Sequence, residues 1–242
     1  MVNAAELTGL RTAAASALAT RLLASPSSQR LVVFGTGAQA YHHARLVLEL
    51  FPSLTELILV ARSASSRATG LLLRIQDEFP NVQSALVTPD QTDVAVREAD
   101  IICCCVPSTE PVFAAADLKA GVHINAIGSY QPHMAEFPPE LISPSAPGGP
   151  AIPTILVDVR EAVLAEAGEV IASGIAAGSL VELGDVVSQD GEVVEGAVDE
   201  FGLRKGGRSL FKCVGVGGMD VAITTLVVQA AREAGIGSYV DF

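Results

Sequence analysis

Apolar positions along the chain fall into two alternating patterns, short continuous runs and longer stretches of helical period. The run Leu31-Val32-Val33-Phe34 has no polar interruption, as a parallel strand covered on both faces requires. A turn of small residues follows at once. Residues 41–51 then place Ala44, Leu46, Val47, Leu48 and Leu50 on the sheet-facing side of a helix. Upstream, residues 8–24 set Leu10, Ala14, Leu18 and Leu22 at helical spacing behind Thr8 as N-cap, and Ser25-Pro26-Ser27-Ser28 ends that helix. Downstream, strands are predicted at 57–61, 82–87, 101–106, 121–128 and 155–159, with helices at 68–79 and 92–99. Residues 143–150, made of Ser, Pro, Ala and Gly, form a loop. This alternation with short connections predicts an α/β fold, a doubly wound parallel sheet of the Rossmann type.

Beyond residue 159 the pattern weakens. Residues 161–167 are helical, and 168–210 are Gly-rich with a turn at Glu182-Leu183-Gly184-Asp185. The chain turns apolar again from Phe211, and residues 222–234 read as a helix. Val221, Ile223, Leu226, Val227 and Val228 are too many apolar residues for one surface helix, so a partner for this face is expected. Gly215, Gly217 and Gly218 at its entrance permit close backbone approach to a ligand or a neighbouring helix.

Composition narrows the class. With 242 residues, 50% of them hydrophobic and 5% aromatic, the chain can bury one large α/β core. A net charge of -12 disfavours nucleic acid or an anionic membrane as partner, while leaving room for a local phosphate site. No apolar run reaches ~18 residues, so no membrane span is expected. Residues 1–6 lack a basic and apolar leader, and the 4 cysteines show no metal-ligand spacing, so the expectation is a cytoplasmic protein with reduced thiols and no metal.

The chemistry concentrates after the first strand. Gly35-Thr36-Gly37-Ala38-Gln39-Ala40 is a Gly-x-Gly-x-x-Ala turn between strand and helix, the context of a dinucleotide site. Gly35 makes the tight turn, Gly37 admits the pyrophosphate, and Ala40 lets helix and strand pack closely, while the helix N-terminus attracts the phosphates. The bland alternative is a tight turn between buried elements. At the end of the second strand, where an acid would bind a ribose 2′-hydroxyl, the sequence is Ala61-Arg62-Ser63-Ala64-Ser65-Ser66-Arg67. Two Arg and three Ser suit a 2′-phosphate, favouring NADP with NAD as the alternative, unless the segment is only a polar first turn. Arg11, in the first turn of the predicted helix, is unfavourable to the dipole, so it is either a surface residue or one placed to meet an anion. The edge segment Pro107-Ser108-Thr109-Glu110-Pro111 should lie at the ligand crevice, with Glu110 as loop anchor or ligand contact. His123 reads as a satisfied core histidine, His42 and His43 as helix surface or packing, and Lys212 as a surface Lys near a helix start.

Taken together, Leu10-Arg11-Thr12-Ala13-Ala14, the Gly-rich turn, Thr109-Glu110-Pro111, His123-Ile124-Asn125-Ala126-Ile127-Gly128-Ser129, Val157-Asp158 and Phe211-Lys212 resemble the ornithine cyclodeaminase/μ-crystallin family. The resemblance implies a Rossmann domain at 8–187 and, at 188–242, a C-terminal remnant of a substrate and dimerisation domain whose N-terminal part is absent. It implies a homodimer that uses a nicotinamide cofactor on small amino or imino acids. It also implies roles: Arg11 for the substrate carboxylate, and Thr12 for the cofactor. Gly35, Thr36, Gly37, Ala38 and Gln39 match the pyrophosphate loop, and Ala61, Arg62, Ser63, Ser66 and Arg67 the 2′-phosphate segment. Cys105, Val106, Ile127 and Cys213 match the nicotinamide side. Where the family's cyclodeaminases carry a proton-handling Asp, this chain has Tyr130.

The expected activity is therefore an NADP-dependent reduction of the C=N bond of a cyclic imino acid, with Arg11 clamping the carboxylate and Tyr130 or water supplying the proton. Ornithine cyclodeamination is the second reading. A non-catalytic NADP-binding protein is the third.

Overall fold

The run that reads as a doubly covered strand lies near the middle of an eight-stranded sheet. The computed structural model describes residues 3–188 and 190–238. In chain order the elements are α1 (Ala4–Leu23), β1 (Arg30–Phe34), α2 (Ala38–Leu50), β2 (Glu56–Val60), α3 (Ser66–Glu78), β3 (Gln83–Val87), α4 (Thr92–Arg97), β4 (Ile101–Cys104) and β5 (His123–Ala126). They continue with β6 (Ile155–Val157), α5 (Arg160–Glu166), α6 (Gly168–Ser173), β7 (Leu180–Glu182), α7 (Leu183–Val186), α8 (Ala197–Glu200), β8 (Ser209–Lys212) and α9 (Gly217–Glu233). The strand order is β3-β2-β1-β4-β5-β8-β6-β7, and all of these neighbours pair in parallel.

Alternation along each strand supplies a core on both faces. Val32, Phe34, Ile102, Cys104, Ile124 and Leu210 point to one side, under Val96 of α4, Val163 of α5 and Val170 of α6. Leu31, Val33, Leu57, Leu59, Ile101 and Cys103 point to the other, under Ala40, Ala44 and Val47 of α2 and Ile75 of α3. On that second side Leu156 and Phe211 continue the layer beneath Ala19, Leu22 and Leu23 of α1.

Four expectations change. The first helix starts at Ala4, not at 8, because Asn3 caps it, its side chain accepting from Ala5 N at 3.1 Å and Glu6 N at 3.4 Å. Arg11 therefore lies well inside α1, and the dipole argument about a first-turn Arg does not apply. The boundary placed between 187 and 188 does not follow the sheet: β8 belongs to the later segment yet pairs with both β5 and β6. Its polar ends, Ser209 and Lys212, are buried, which hid a four-residue strand from a hydrophobic pattern. The Gly-rich stretch 168–210 also holds α6, β7, α7 and α8, all short. The last helix begins at Gly217, five residues before the predicted start. It meets the rest of the described chain chiefly through α1, and none of its residues is buried, with Val221 68% and Leu226 63% exposed. No helix among the described residues is long and apolar enough to cross a membrane.

Candidate functional site

The carboxyl ends of β1, β4, β5 and β8 form one edge, and the backbone continues in register past them. Cys105 N donates to Phe34 O, Ile127 N to Cys104 O and Cys213 N to Ala126 O, at 3.0 to 3.1 Å. This row sets Cys105, Ile127 and Cys213 side by side, with Val106 next to the first. Burial pushes the thiols of Cys105 and Cys213 well up, so both remain protonated. They line the edge as small apolar groups rather than nucleophiles.

The Gly-rich turn faces this row. Gly35 has φ +113°, and a Cβ there would stand 2.8 Å from Cys105 O, so only glycine fits. Gly37 caps α2 with no side-chain hydrogen bond, and Gly37 and Ala38 are exposed, beside half-buried Thr36. The first N–H groups of α2 are thus open to an anion. Gln39 donates its Nε2 to Thr8 O at 3.3 Å, while its buried Oε1 has no partner. That acceptor is one a ligand hydroxyl would satisfy. At the end of β2, Ala61 is buried and Arg62, Ser63, Ser66 and Arg67 are exposed. Ser65 alone caps α3, accepting from Ala68 N at 3.3 Å, which leaves the neighbouring serines and arginines free of that task. These features fit a nicotinamide dinucleotide: a Gly-built turn, an uncapped helix start and an orphaned acceptor beside it.

Arg11 reaches the same edge from α1. Its side chain is 12% exposed, and Nε lies 3.3 Å from Asp220 Oδ1 of α9. Asp158 folds the connection between β8 and α9 onto it. Asp158 Oδ2 accepts from Gly215 N at 2.7 Å, Val214 N at 3.1 Å and Cys213 Sγ at 3.1 Å. Gly215, at φ +88°, then lies so close that a Cβ would meet Arg11 Nη1 at 2.5 Å. Thr12 is buried on α1, its hydroxyl donating back to Thr8 O at 2.9 Å. Tyr130 is 45% exposed and pairs with neither Arg11 nor Asp220 among the described residues.

Sequence reasoning missed a buried polar group beneath this edge. Glu136 accepts from Val106 N at 2.9 Å, Gly128 N at 2.6 Å and Ser129 N at 3.1 Å, tying the ends of β4 and β5 together. Burial pushes its carboxyl up to about 7, against the opposing pull of Lys212 and of its backbone donors. Lys212 is fully buried, which removes the surface reading. Its Nζ donates to Ser129 O at 2.6 Å and lies 3.0 Å from Glu169 Oε1, in ion-pair rather than hydrogen-bond alignment. Ser129 Oγ also donates to Glu169. The available sequence signal was faint: a Glu preceding Phe137-Pro138, and a Gly168-Glu169 step entering an apolar segment.

The histidines are structural. His123 bonds Ser209 Oγ at 2.9 Å and Asn125 Oδ1 at 3.2 Å, and burial lowers it to about 4. His43 is fully buried, not a surface residue, bonding Gln39 O at 2.8 Å and Ser16 Oγ at 2.9 Å across α1 and α2, and burial lowers it likewise to about 4. His42 is 8% exposed and lies 3.2 Å from Glu6 Oε2. Glu110 is exposed and engages Ser108 only through its backbone. A cavity of about 300 Å³ lined by Leu23, Pro26, Arg204 and Arg208 lies at the opposite edge of the sheet and is not part of this site.

A family model described as ornithine cyclodeaminase/mu-crystallin matches residues 1–235. The chain is similar to a Delta(1)-pyrroline-2-carboxylate reductase of Bacillus cereus, 31% identical over 247 residues that span 100% of this chain and 70% of the relative. It is similar to the ketimine reductase mu-crystallin of Rattus norvegicus, 32% identical over 225 residues, 93% of this chain and 62% of the relative. Among solved structures, the Delta(1)-pyrroline-2-carboxylate reductase of Thermococcus litoralis, in complex with NADH and L-proline, matches with a TM-score of 0.77 at 24% identity. That match covers 97% of this chain and 68% of the other, and at this identity the likeness is one of fold.

Proposed function

Because the chain belongs to the ornithine cyclodeaminase/mu-crystallin family, we propose that it is an NAD(P)-dependent oxidoreductase that reduces the C=N bond of a small cyclic imino acid. One observation carries the reading: the open start of α2 behind Gly35 and the Arg11 guanidinium stand at the same sheet edge, on either side of the row Cys105, Ile127 and Cys213. The relatives named as reductases of Delta(1)-pyrroline-2-carboxylate and of ketimines support the same substrate class.

Gly35, Thr36, Gly37, Ala38 and Gln39 would hold the pyrophosphate, and Thr12, Cys105, Val106, Ile127 and Cys213 the nicotinamide end. Ala61, Arg62, Ser63, Ser66 and Arg67 would hold the adenine ribose with its 2′-phosphate, which favours NADP over NAD. When bound, the reduced nicotinamide supplies a hydride to the imine carbon. Arg11 binds the substrate carboxylate through charge-assisted bonds and fixes the ring against the row. The apolar row excludes water from the reacting face, and its thiols, held protonated, stay out of the chemistry. Tyr130 does not meet Arg11, so we assign the proton on nitrogen to water. A second copy of the chain covers the bare face of α9, giving a homodimer, and the free buried thiols suit a cytoplasmic setting.

The test is NADPH oxidation with five- and six-membered cyclic 2-imino carboxylates. Saturable turnover is expected. Intact NADPH binding with no turnover of either ring size would return the chain to the reading of a non-catalytic nucleotide binder.

A further inference from the structure

We infer that Asp220 and Arg11 act as one recognition pair, Arg11 for the substrate's carboxylate and Asp220 for the positive charge on its ring nitrogen, so that the site selects protonated imines over the corresponding 2-oxo acids. The inference rests on the reading above, since it concerns the ligand of that site. The two residues come from α1 and α9, 209 positions apart, and meet at 3.3 Å. Asp220 stands in the first turn of α9, where an acid suits the helix dipole. The dipole accounts for an acid there, but not for its union with a guanidinium from the other end of the chain.

Neither partner is saturated by the other. Arg11 is only 12% exposed, yet it meets a single carboxylate oxygen through Nε and a weakly accepting thioether, Met219 Sδ at 3.7 Å, through Nη1. Its Nη2 donates to nothing among the described residues. A guanidinium has five donors in a fixed fork, and burying most of it with so few acceptors invites an anion. Asp220 is 45% exposed, and its Oδ2 accepts no hydrogen bond among the described residues. The pair is thus closed on the protein side and open on the other. Asp158 holds Gly215 against Arg11, which pins the guanidinium in one place.

A 2-imino acid carries its carboxylate and its nitrogen on the same carbon. When protonated it presents a negative and a positive group side by side, and Arg11 and Asp220 present the opposite charges side by side. A 2-oxo acid keeps the carboxylate but puts a carbonyl oxygen where Asp220 sits. That placement sets lone pairs against a carboxylate and leaves Asp220 without a donor. Asp220 is in this sense a specificity residue, while Arg11 gives affinity to both.

Calorimetric titration of the NADP-loaded protein with L-proline and with tetrahydrofuran-2-carboxylate separates the roles, because the second ring has oxygen in place of the cationic nitrogen. The wild type should bind proline at least about tenfold more tightly. Asp220→Asn should lower proline affinity by about tenfold or more and leave tetrahydrofuran-2-carboxylate within about twofold, or tighter, since Arg11 is released. Asp220→Glu should restore part of the preference. Parallel loss of both ligands in Asp220→Asn would reduce Asp220 to a residue that orients Arg11 and overturn the inference. So would a wild type that does not distinguish the two rings, a comparison that needs no variant. If NADP binds but neither ring carboxylate does, the imino-acid reading itself falls, and the inference with it.

Discussion

At the β1–α2 turn every group facing the edge comes from residues 35–40, whereas the charge pair at α1 and α9 joins residues 209 positions apart. The first is backbone architecture. Gly35 fits because of its φ of +113°, and the phosphate-binding capacity resides in uncapped N–H groups that any correctly folded strand–turn–helix unit offers. The second depends on α1, β8 and α9 arriving together, with Asp158 tying the β8–α9 connection to Arg11. A local motif is robust to changes elsewhere, while an assembled pair fails when any contributor shifts. Cofactor binding and substrate binding should therefore separate under mutation.

The largest effect expected from that separation is at Arg11. Arg11→Ala removes a mostly buried guanidinium and leaves the substrate carboxylate without its partner. A loss of about 10²–10³-fold in kcat/KM for a cyclic imino acid follows, equivalent to roughly 3–4 kcal/mol. NADPH affinity should stay within about twofold, since Arg11 touches none of residues 35–40. A comparable collapse of NADPH binding would show that the two halves are not independent.

Glu136 lies between the halves, joining the end of β4 to the end of β5, and its effect should be read in stability rather than turnover. Burial holds its carboxyl near 7, above the ordinary 4.5, so the native protein keeps this proton when the unfolded chain has lost it. The stabilising contribution is complete below about pH 4.5 and is lost as pH rises to about 7, a span worth roughly 3 kcal/mol. Glu136→Gln cannot titrate. The difference in unfolding free energy between wild type and this variant should therefore shift against the wild type by that amount between pH 4.5 and 7.5, read from urea denaturation. A difference that stays level with pH would mean that Lys212 and the three backbone donors, not burial, govern the carboxyl.

The same division decides what a sequence can reveal. The strands β1, β2 and β4 were legible because each holds a continuous apolar run, and the turn after β1 because Gly35 and Gly37, separated by one residue, stand directly behind that strand. β8 was not, since both of its ends are buried polar residues, Ser209 and Lys212, whose burial depends on partners from other elements. Glu136 and Glu169 were invisible for the same reason. A Glu is read as exposed until the groups that satisfy it are known: for Glu136 the N–H groups of Val106, Gly128 and Ser129, and for Glu169 the side chains of Ser129 and Lys212. Arg11 could be named from its motif and Gly215 from its place at the entrance of the last helix, but Asp220 and the meeting of all three could not, because only the packing of α9 on α1 brings them together.

The smallest expected effect sharpens the local half. Arg62 and Arg67 follow β2 with no acidic residue between 61 and 67, and both are exposed without an ion pair among the described residues. A 2′-phosphate placed there gains charge-assisted contacts that a 2′-hydroxyl cannot make, so NADPH should bind at least about tenfold more tightly than NADH, about 1.4 kcal/mol. The contacts are solvent-accessible, which keeps the expected gain modest and makes it sensitive to salt: a Debye length of about 10 Å at 0.1 M falls to about 3 Å at 1 M. The ratio should shrink as salt is raised. The double substitution Arg62→Ala and Arg67→Ala should bring the two cofactors together by weakening NADPH while leaving NADH unchanged, because NADH relies on the turn at residues 35–40. Calorimetric titration of both cofactors at two salt concentrations measures all of this. Equal affinities in the wild type would end the preference for NADP, and a fall in NADH affinity in the double variant would show that these arginines hold the adenine half of either cofactor rather than reading its phosphate.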